Sequence, residues 1–389
     1  MQQTTSQLST RIGIVVNEVS GDQLAAALIE ALHAKRPEIR FEGMTGPLME
    51  AAGCRSLATM HPVMGLVEVF RHLPGLLKTR RRLANHFLNQ PPDLVLGVDA
   101  PDFNLALETR LKAAGIPTAH FVSPTVWAWR QGRVKKLHRA VDLMLCIFDF
   151  EVDFLRRHNV AAVYVGHPLA DQIPLQPVDS REVRLELGLD PERPVIALLP
   201  GSRMSEVSRL GAVFLQTALW VHQRKPELHF VAPMVNERIK QAFQEQQLSV
   251  APKLPLTLLD GKPRQAIGAA DVVLTASGTA TLETLLLKRP MVVAYRLSAM
   301  TVWLIRTFDL LKTPYVAIAN LLSDRPLAPE FIQEACQPEA MGRALLGFLE
   351  DQSQCEEIAQ RYLRIHQGLR RDAANKAAEA LLGMLEKST

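Results

Sequence analysis

Three short segments of the 389-residue chain carry residues suited to chemistry on a hydroxyl or a phosphate. Asp99 closes the apolar run Leu94–Val98 and opens Asp99-Ala100-Pro101-Asp102-Phe103-Asn104. A carboxylate at the tip of a buried strand is a candidate general base for an attacking hydroxyl. Helix capping accounts for Asp102 more simply, and the strand-tip position favours the catalytic reading of Asp99. Pro200-Gly201-Ser202-Arg203 follows the run Val195–Leu199. A small loop there, leading into a helix, offers backbone N–H groups to phosphate oxygens, and Arg203 adds a forked, permanent cation. Ser277-Gly278-Thr279-Ala280 follows Val272–Thr275 and opens another helix. Ser277 as an N-cap is the ordinary reading, and a second anion site at the helix N-terminus is the functional one. Glu283 lies about one turn inside that helix, within reach of a ribose beside the phosphates. Neither loop decides alone, but two in one half point to a nucleotide diphosphate.

Other segments are weaker. The first strand is followed by Asn17-Glu18-Val19-Ser20-Gly21-Asp22, not by G-x-G-x-x-G, which argues against a dehydrogenase. Asp149-Phe150-Glu151 resembles a metal-binding D-x-D, but its place at a helix start is explained by the helix dipole, and no metal or cofactor is expected. Trp127-Ala128-Trp129-Arg130 has two open readings, a sugar-stacking platform or a buried loop. His167-Pro168 is too short to interpret. The four cysteines show no metal or disulfide spacing, which fits a reducing compartment.

The elements that must position these residues alternate between apolar runs and helical periodicity. Ile12–Val16, Leu94–Val98, Thr118–Val122, Asp142–Ile147 and Val163–Val165 read as strands in the first half. Val195–Leu199, His229–Ala232, Val272–Thr275 and Met291–Ala294 read as strands in the second. Intervening helices predict an α/β fold of two Rossmann-like domains with parallel sheets facing a cleft, ligands lying beyond the carboxyl ends of the strands. The proline-bearing stretch from Asp171 to Arg193, with a short charged helix, reads as a linker. The expected domains are 1–175, 190–355, and a helical, Ala-rich segment 356–389 that packs back on the first domain.

Hydrophobic residues make up 48% of the chain and charged ones 22%, ample for two cores. The formal charge of +4 does not argue for nucleic acid, but Lys78, Arg80, Arg81 and Arg82 cluster, as do Arg130, Arg133, Lys135, Lys136 and Arg139. Such clusters are either solvated faces or sites for phosphates and acidic headgroups. The polar first ten residues carry no apolar signal core, and no uninterrupted apolar run is long enough to span a bilayer.

Together these segments resemble the lipid-A-disaccharide synthase family. The resemblance rests on Gly43…Gly46-Pro47, Met64-Gly65 with Glu68-Val69, Asp99 to Asn104, and Val122-Ser123-Pro124 with Trp127 to Arg130. It continues through Val165-Gly166-His167-Pro168, Leu199 to Arg203, Ser277 to Ala280 with Glu283, and Pro329-Glu330-Phe331-Ile332-Gln333. These occur in family order over nearly the whole chain and are jointly specific. The resemblance implies a GT-B fold and a metal-independent, inverting transfer from UDP-2,3-diacylglucosamine to 2,3-diacylglucosamine 1-phosphate. It implies Glu18, Ser20, Asp22 and Asn320 on the acceptor side, and UDP on Gly201, Ser202, Arg203, Ser277, Gly278, Thr279 and Glu283. It also implies work at an anionic membrane surface, the cytoplasmic face of the inner membrane, with a homodimer as a further expectation. Alternatives are another UDP-sugar enzyme of this fold, an epimerase or peptidoglycan-type transferase, or a non-catalytic nucleotide-sugar-binding membrane module.

The chain departs from the family pattern at Asn17, where a glycine is usual, at Ala319, and at Pro74, which interrupts an expected helix. Asn is the least costly substitute if that glycine needs positive φ. The apolar stretch from Pro62 to Leu77, edged by Lys78 to Arg82, fits an interfacial segment. Val67, Val69, Phe70, Leu73, Leu76 and Leu77 are expected to dip into the membrane and admit acyl chains.

Overall fold

A computed structural model describes residues 10–60, 66–128, 131–298, 302–303 and 313–388, the side chains of 66–73, 131 and 388 excepted. The chain forms two compact units, Met1–Asp171 with Leu369–Thr389, and Gln172–Gly368.

The first unit has strands β1 (Arg11–Val16), β2 (Arg40–Thr45), β3 (Arg55–Thr59), β4 (Leu94–Val98), β5 (Thr118–Phe121), β6 (Leu143–Cys146) and β7 (Ala162–Tyr164). Its helices are α1 (Val19–Lys35), α2 (Pro47–Ala51), α3 (Leu66–Asn89), α4 (Pro101–Lys112), α5 (Val134–Ala140), α6 (Asp149–Arg156) and α7 (Pro168–Gln172), the last ending at the unit boundary. The sheet runs β3-β2-β1-β4-β5-β6-β7 with every pair parallel. β4 is buried throughout and β1 nearly so, as continuous aliphatic runs must be when helices cover both faces. The strand order reverses between β1 and β4, opening a crevice at their carboxyl ends. β2 and β3 escape the apolar-run criterion: β2 carries Glu42 and Gly43, and β3 is a half-exposed edge strand.

Helix α3 runs through Pro74, where an interruption was expected. Proline forfeits one intrahelical hydrogen bond, at a cost of about 3 kcal/mol in a helix interior, and past it α3 buries Leu83, Ala84 and Phe87. Leu76 and Leu77 are half-buried, Leu76 against the core, while Lys78 is exposed. The side chains of Val67, Val69, Phe70 and Leu73 lie outside the described residues.

The C-terminal segment is not one helix. It breaks between Gln352–Leu369 and Ala373–Ser388, with Asp372 at φ 58°. Ala373, Ala377, Ala378 and Leu381 of the last helix are buried, and it meets α1 with Lys35–Glu379 (3.0 Å) and Arg36–Glu386 (2.6 Å) ion pairs at the rim. Asp171 accepts from the N–H groups of Arg371, Asp372 and Ala373 at 3.1, 2.9 and 2.7 Å, capping that helix. Gly166 (φ 92°) makes the seat: a Cβ there would stand 2.8 Å from the Leu369 carbonyl oxygen and 2.5 Å from Arg371 Cβ.

The second unit has strands β8 (Val195–Leu199), β9 (His229–Met234), β10 (Leu256–Asp260), β11 (Val272–Ala276), β12 (Met291–Tyr295) and β13 (Glu330–Ile332). Its helices include α8 (Ser180–Glu186), α9 (Met204–His222), α10 (Glu237–Val250), α11 (Pro263–Ala269) and α12 (Thr279–Leu286). The sheet is again wholly parallel, β10-β9-β8-β11-β12-β13, reversing between β8 and β11. The stretch read as a linker is bound to this unit. Arg184 of α8 is buried and donates to the Ala269 carbonyl (2.8 Å) and to Asp271 (2.7 Å). Lys288 reaches the Pro174 carbonyl (2.8 Å) and Arg289 that of Val178 (2.9 Å). Among the described residues no helix is long and apolar enough to cross a membrane.

Candidate active site

The strand-tip candidates fall at the reversal point of each sheet. In the first unit Val16 pairs with Val98, so the loops beginning at Asn17 and Asp99 leave the sheet side by side. Asp99 and Ala100 both take positive φ, 53° and 43°, and Val122 at the end of neighbouring β5 has φ 77°. Such backbone costs about 1–3 kcal/mol per non-glycine residue and persists where surroundings over-determine it, commonly at functional sites. Here the Asp99 N–H donates to the Phe121 carbonyl (2.9 Å) and the Val122 N–H to that of Leu145 (3.1 Å). The turn tips the half-exposed Asp99 carboxylate out of the strand line, where Ser20 Oγ donates to Oδ2 at 3.3 Å and the Ala100 N–H to Oδ1 at 2.9 Å. Glu18 and Ser20 are exposed at the start of α1 beside it. Asp102 is turned outward and pairs with Arg133 at 2.5 Å.

Asp22 departs from the acceptor-side expectation. It is 2% exposed, and its oxygens accept from the N–H groups of Leu48 and Met49, each at 3.0 Å, capping α2. Gly46 makes room, since a Cβ there would lie 2.4 Å from that carboxyl. The glycine rationale for Asn17 also fails, because Asn17 is not among the positive-φ residues.

Trp127 resolves toward the buried-loop reading. Its Nε1 donates to Glu151 (3.2 Å) and its ring meets Phe150 edge-on at 4.7 Å. Glu151 is turned inward at the start of α6 and also accepts from the Phe148 N–H (3.1 Å). Burial pushes its carboxyl up to about 8, against the pull of these donors. Trp129 and Arg130 lie outside the described residues.

In the second unit Thr275 pairs with Leu199, so Gly201-Ser202-Arg203 and Ser277-Gly278-Thr279 emerge together. Gly201 has φ 124°, and a Cβ there would stand 2.5 Å from Glu206 Oε2. That oxygen accepts from the N–H groups of Ser202 (3.0 Å) and Arg203 (3.2 Å), while Arg203 Nη1 donates to Oε1 at 3.1 Å. A carboxylate thus occupies the donors expected to meet a phosphate, and Arg203 remains largely exposed. Ser277 is not the cap of α12. Its Oγ donates to the Val316 carbonyl (2.9 Å), and the cap residue is Gly278, with no side-chain cap. A Cβ at Gly278 would meet nothing within 4 Å, so the start of α12 is open for an anion. Glu283 is mostly buried and pairs with Arg264 at 3.2 Å.

Asn320 likewise departs from the acceptor-side expectation. It is 1% exposed, its Oδ1 accepts from Leu327 and Ala328 N–H (2.8 and 2.9 Å), and its Nδ2 donates to Ala328 O and Glu330 (2.8 and 2.7 Å). Glu330 also accepts from the Val316 and Ala317 N–H groups at 2.9 and 3.0 Å. Asn320, Glu330 and Ser277 therefore fix the segment that flanks the open end of α12.

The family model for lipid-A-disaccharide synthetase matches residues 12–384. The chain belongs to the lipid-A-disaccharide synthase family. It is 47% identical to the lipid-A-disaccharide synthase of Hahella chejuensis over 384 residues, covering 98% of this chain and 96% of that one. It is 48% identical to that of Pseudomonas aeruginosa over 379 residues, covering 97% and 98%. Among solved structures it resembles UDP-GlcNAc 2-epimerase from Neisseria meningitidis bound to UDP-GlcNAc, with TM-score 0.64, 13% identity, and 96% and 100% of the two chains covered. It also resembles Anabaena HepE in complex with UDP and glucose, with TM-score 0.58, 14% identity and coverage of 96% and 99%. At such identity these likenesses establish the GT-B fold alone. Sequence reading left Glu206, Glu330 and Asn104 without a role and gave Glu151 only a place on the helix dipole. Glu206 had a signal, since it stands three residues after Arg203 in capping-box spacing. Glu330 bonds Val316, Ala317 and Asn320, and Asn104 bonds Val98, Asp99 and the distant Val15, contacts across turns that no short motif reveals.

Proposed function

We propose that this chain joins UDP-2,3-diacylglucosamine to 2,3-diacylglucosamine 1-phosphate, giving the β-1,6-linked lipid A disaccharide 1-phosphate and UDP. Family membership supports the reaction class. The observation that carries the assignment of roles is the turn at Asp99, a half-exposed carboxylate held at the reversal point of the first sheet by two positive-φ residues. Asp99 takes the proton from the acceptor's primary hydroxyl as that oxygen attacks the anomeric carbon. The glycosidic C–O bond to UDP breaks on the opposite face, inverting the configuration. The second unit holds UDP, with Arg203 and the uncapped start of α12 meeting the charge that grows on the leaving diphosphate. Glu283 takes the ribose hydroxyls. Glu18 and Ser20 line the acceptor side, and the roles of Asp22 and Asn320 are indirect, through the elements they cap.

Both substrates are lipids, so the enzyme works at a leaflet. The apolar start of α3 and the basic residues that follow support contact of a peripheral protein with an anionic surface, the inner face of the inner membrane. The deciding experiment mixes purified protein with both monosaccharide lipids in detergent and weighs the product. Disaccharide and UDP, released only when the diacyl acceptor is present, are expected. Folded protein that makes no disaccharide, or that converts the UDP-sugar alone, would overturn the reading in favour of a binding module or an epimerase.

A further inference from the structure

Beneath the Asp99 turn lies a buried polar cluster that the proposed chemistry does not use. Asn104 and Glu108 are four residues apart on α4, on one face of the helix, and His120 lies on β5; all three are 0% exposed. His120 Nδ1 stands 2.7 Å from Glu108 Oε1, tying α4 to β5. Asn104 Nδ2 reaches three carbonyl oxygens: Val15 at 3.2 Å, Val98 at 3.3 Å and Asp99 at 2.8 Å. One amide group thus spans the ends of β1 and β4 and holds the carbonyl of Asp99 itself. Space for the cluster comes from Gly97, where a Cβ would stand 2.1 Å from Glu108 Oε1, 2.9 Å from Asn104 Cβ and 3.0 Å from His120 Nδ1.

A polar cluster of this kind has a cost in a core that aliphatic side chains could fill. Among the described residues, Asn104 Oδ1, Glu108 Oε2 and His120 Nε2 are buried without a hydrogen-bond partner. What the cluster secures is the backbone conformation above it. Asp99 and Ala100 sit in consecutive left-handed conformations, and the Asn104 N–H groups are donors fixed to the carbonyl at the first of them. We infer that Asn104, which with the Glu108–His120 pair surrounds Gly97, is a positioning residue that aims the Asp99 carboxylate at the acceptor hydroxyl. This rests on the reading of Asp99 as the base.

The test is a double-mutant cycle on turnover, with UDP affinity and thermal midpoint read in parallel. Asn104→Ala is expected to lower kcat roughly ten- to hundred-fold, the scale of an ångström-sized misplacement, with UDP affinity unchanged. In an Asp99→Asn background, where no base remains to be aimed, the same change is expected to cost less than about twofold. Normal kcat in Asn104→Ala overturns the inference, as does an equal loss in both backgrounds, which marks a purely structural residue. If Asn104→Ala does not fold, Asn104→Leu, which keeps the volume and removes the donors, is read the same way. Normal turnover in Asp99→Asn alone sinks the base assignment and this inference with it. Lost turnover in Asp99→Asn beside normal turnover in Asn104→Ala sinks only the inference.

Discussion

At the scale of single residues, the two half-sites differ in readiness. Asp99 already presents its carboxylate, restrained by Ser20 and the Ala100 N–H. Asp99→Asn keeps the shape and removes the base, so turnover should fall by about 10²–10⁴-fold while UDP-sugar binding stays near normal; steady-state kinetics with calorimetry reads both. In the second unit the donors of Ser202 and Arg203 are engaged by Glu206, which stands where the proposed binding mode puts a phosphate oxygen. Any diphosphate that uses those donors must displace it. Glu206→Gln weakens the resident acceptor and should tighten UDP binding. An unchanged or weaker affinity would mean that the diphosphate binds elsewhere, at the start of α12 alone. Arg203→Ala and Glu283→Ala should both weaken UDP binding, and only Arg203→Ala should also slow the chemical step, because its contact strengthens as charge develops.

At the scale of elements, several motifs turn out to be braces. Asp22 and Gly46 form the cap of α2, and Glu330 with Asn320 holds the 316–328 segment. Glu151 joins α6 to the Trp127 loop through a carboxyl that burial keeps protonated up to about pH 8. The sign of its pH dependence follows from linkage. Below about 4.5 the carboxyl is protonated whether folded or not, so its contribution to stability is whole. Between there and about 8 only the unfolded chain ionises, so stability falls as pH rises. Glu151→Gln cannot ionise, so its thermal midpoint should decline less than that of the unmodified protein across this window. Parallel declines would mean that Glu151 is ionised in the fold. For α3, replacing Val67, Phe70 and Leu73 with Ser should weaken liposome binding while leaving the melting temperature unchanged. A lower melting temperature with binding unchanged per folded molecule would make the segment core.

At the scale of the whole molecule, the chain leaves the first unit at residue 171 and returns to it at 369. The seat of that return is Val165-Gly166-His167-Pro168, where the His167 N–H donates to the Leu369 carbonyl at 2.9 Å and Asp171 caps the final helix. Removing residues 370–389 uncovers the α1 face that Ala377, Ala378 and Leu381 bury and leaves Asp171 with no helix to cap. The truncated protein should lose its disaccharide product and melt in two separated steps. UDP affinity should persist through the first step, since the second unit is intact. A single transition at the original temperature would show that the last helix contributes nothing to the first unit.

The sequence by itself determined what local periodicity and strand-tip position encode. Aliphatic runs such as Leu94–Val98 and Val272–Ala276 must be buried on both faces, which dictates parallel sheets and puts Asp99, Gly201 and Ser277 at carboxyl ends. Strands β2, β3 and β13 carry no such run: β2 holds Glu42 and Gly43, and β3 and β13 are half-exposed, so their sequences need not be continuously apolar. Only the tertiary structure decided which polar residues remain available for chemistry. A carboxylate just past a strand reads alike whether it stays half-exposed, as Asp99 does, or caps a helix 26 positions away, as Asp22 does. The difference lies in which unsatisfied N–H groups folding brings within 3 Å or so, and those come from parts of the chain that no short motif contains.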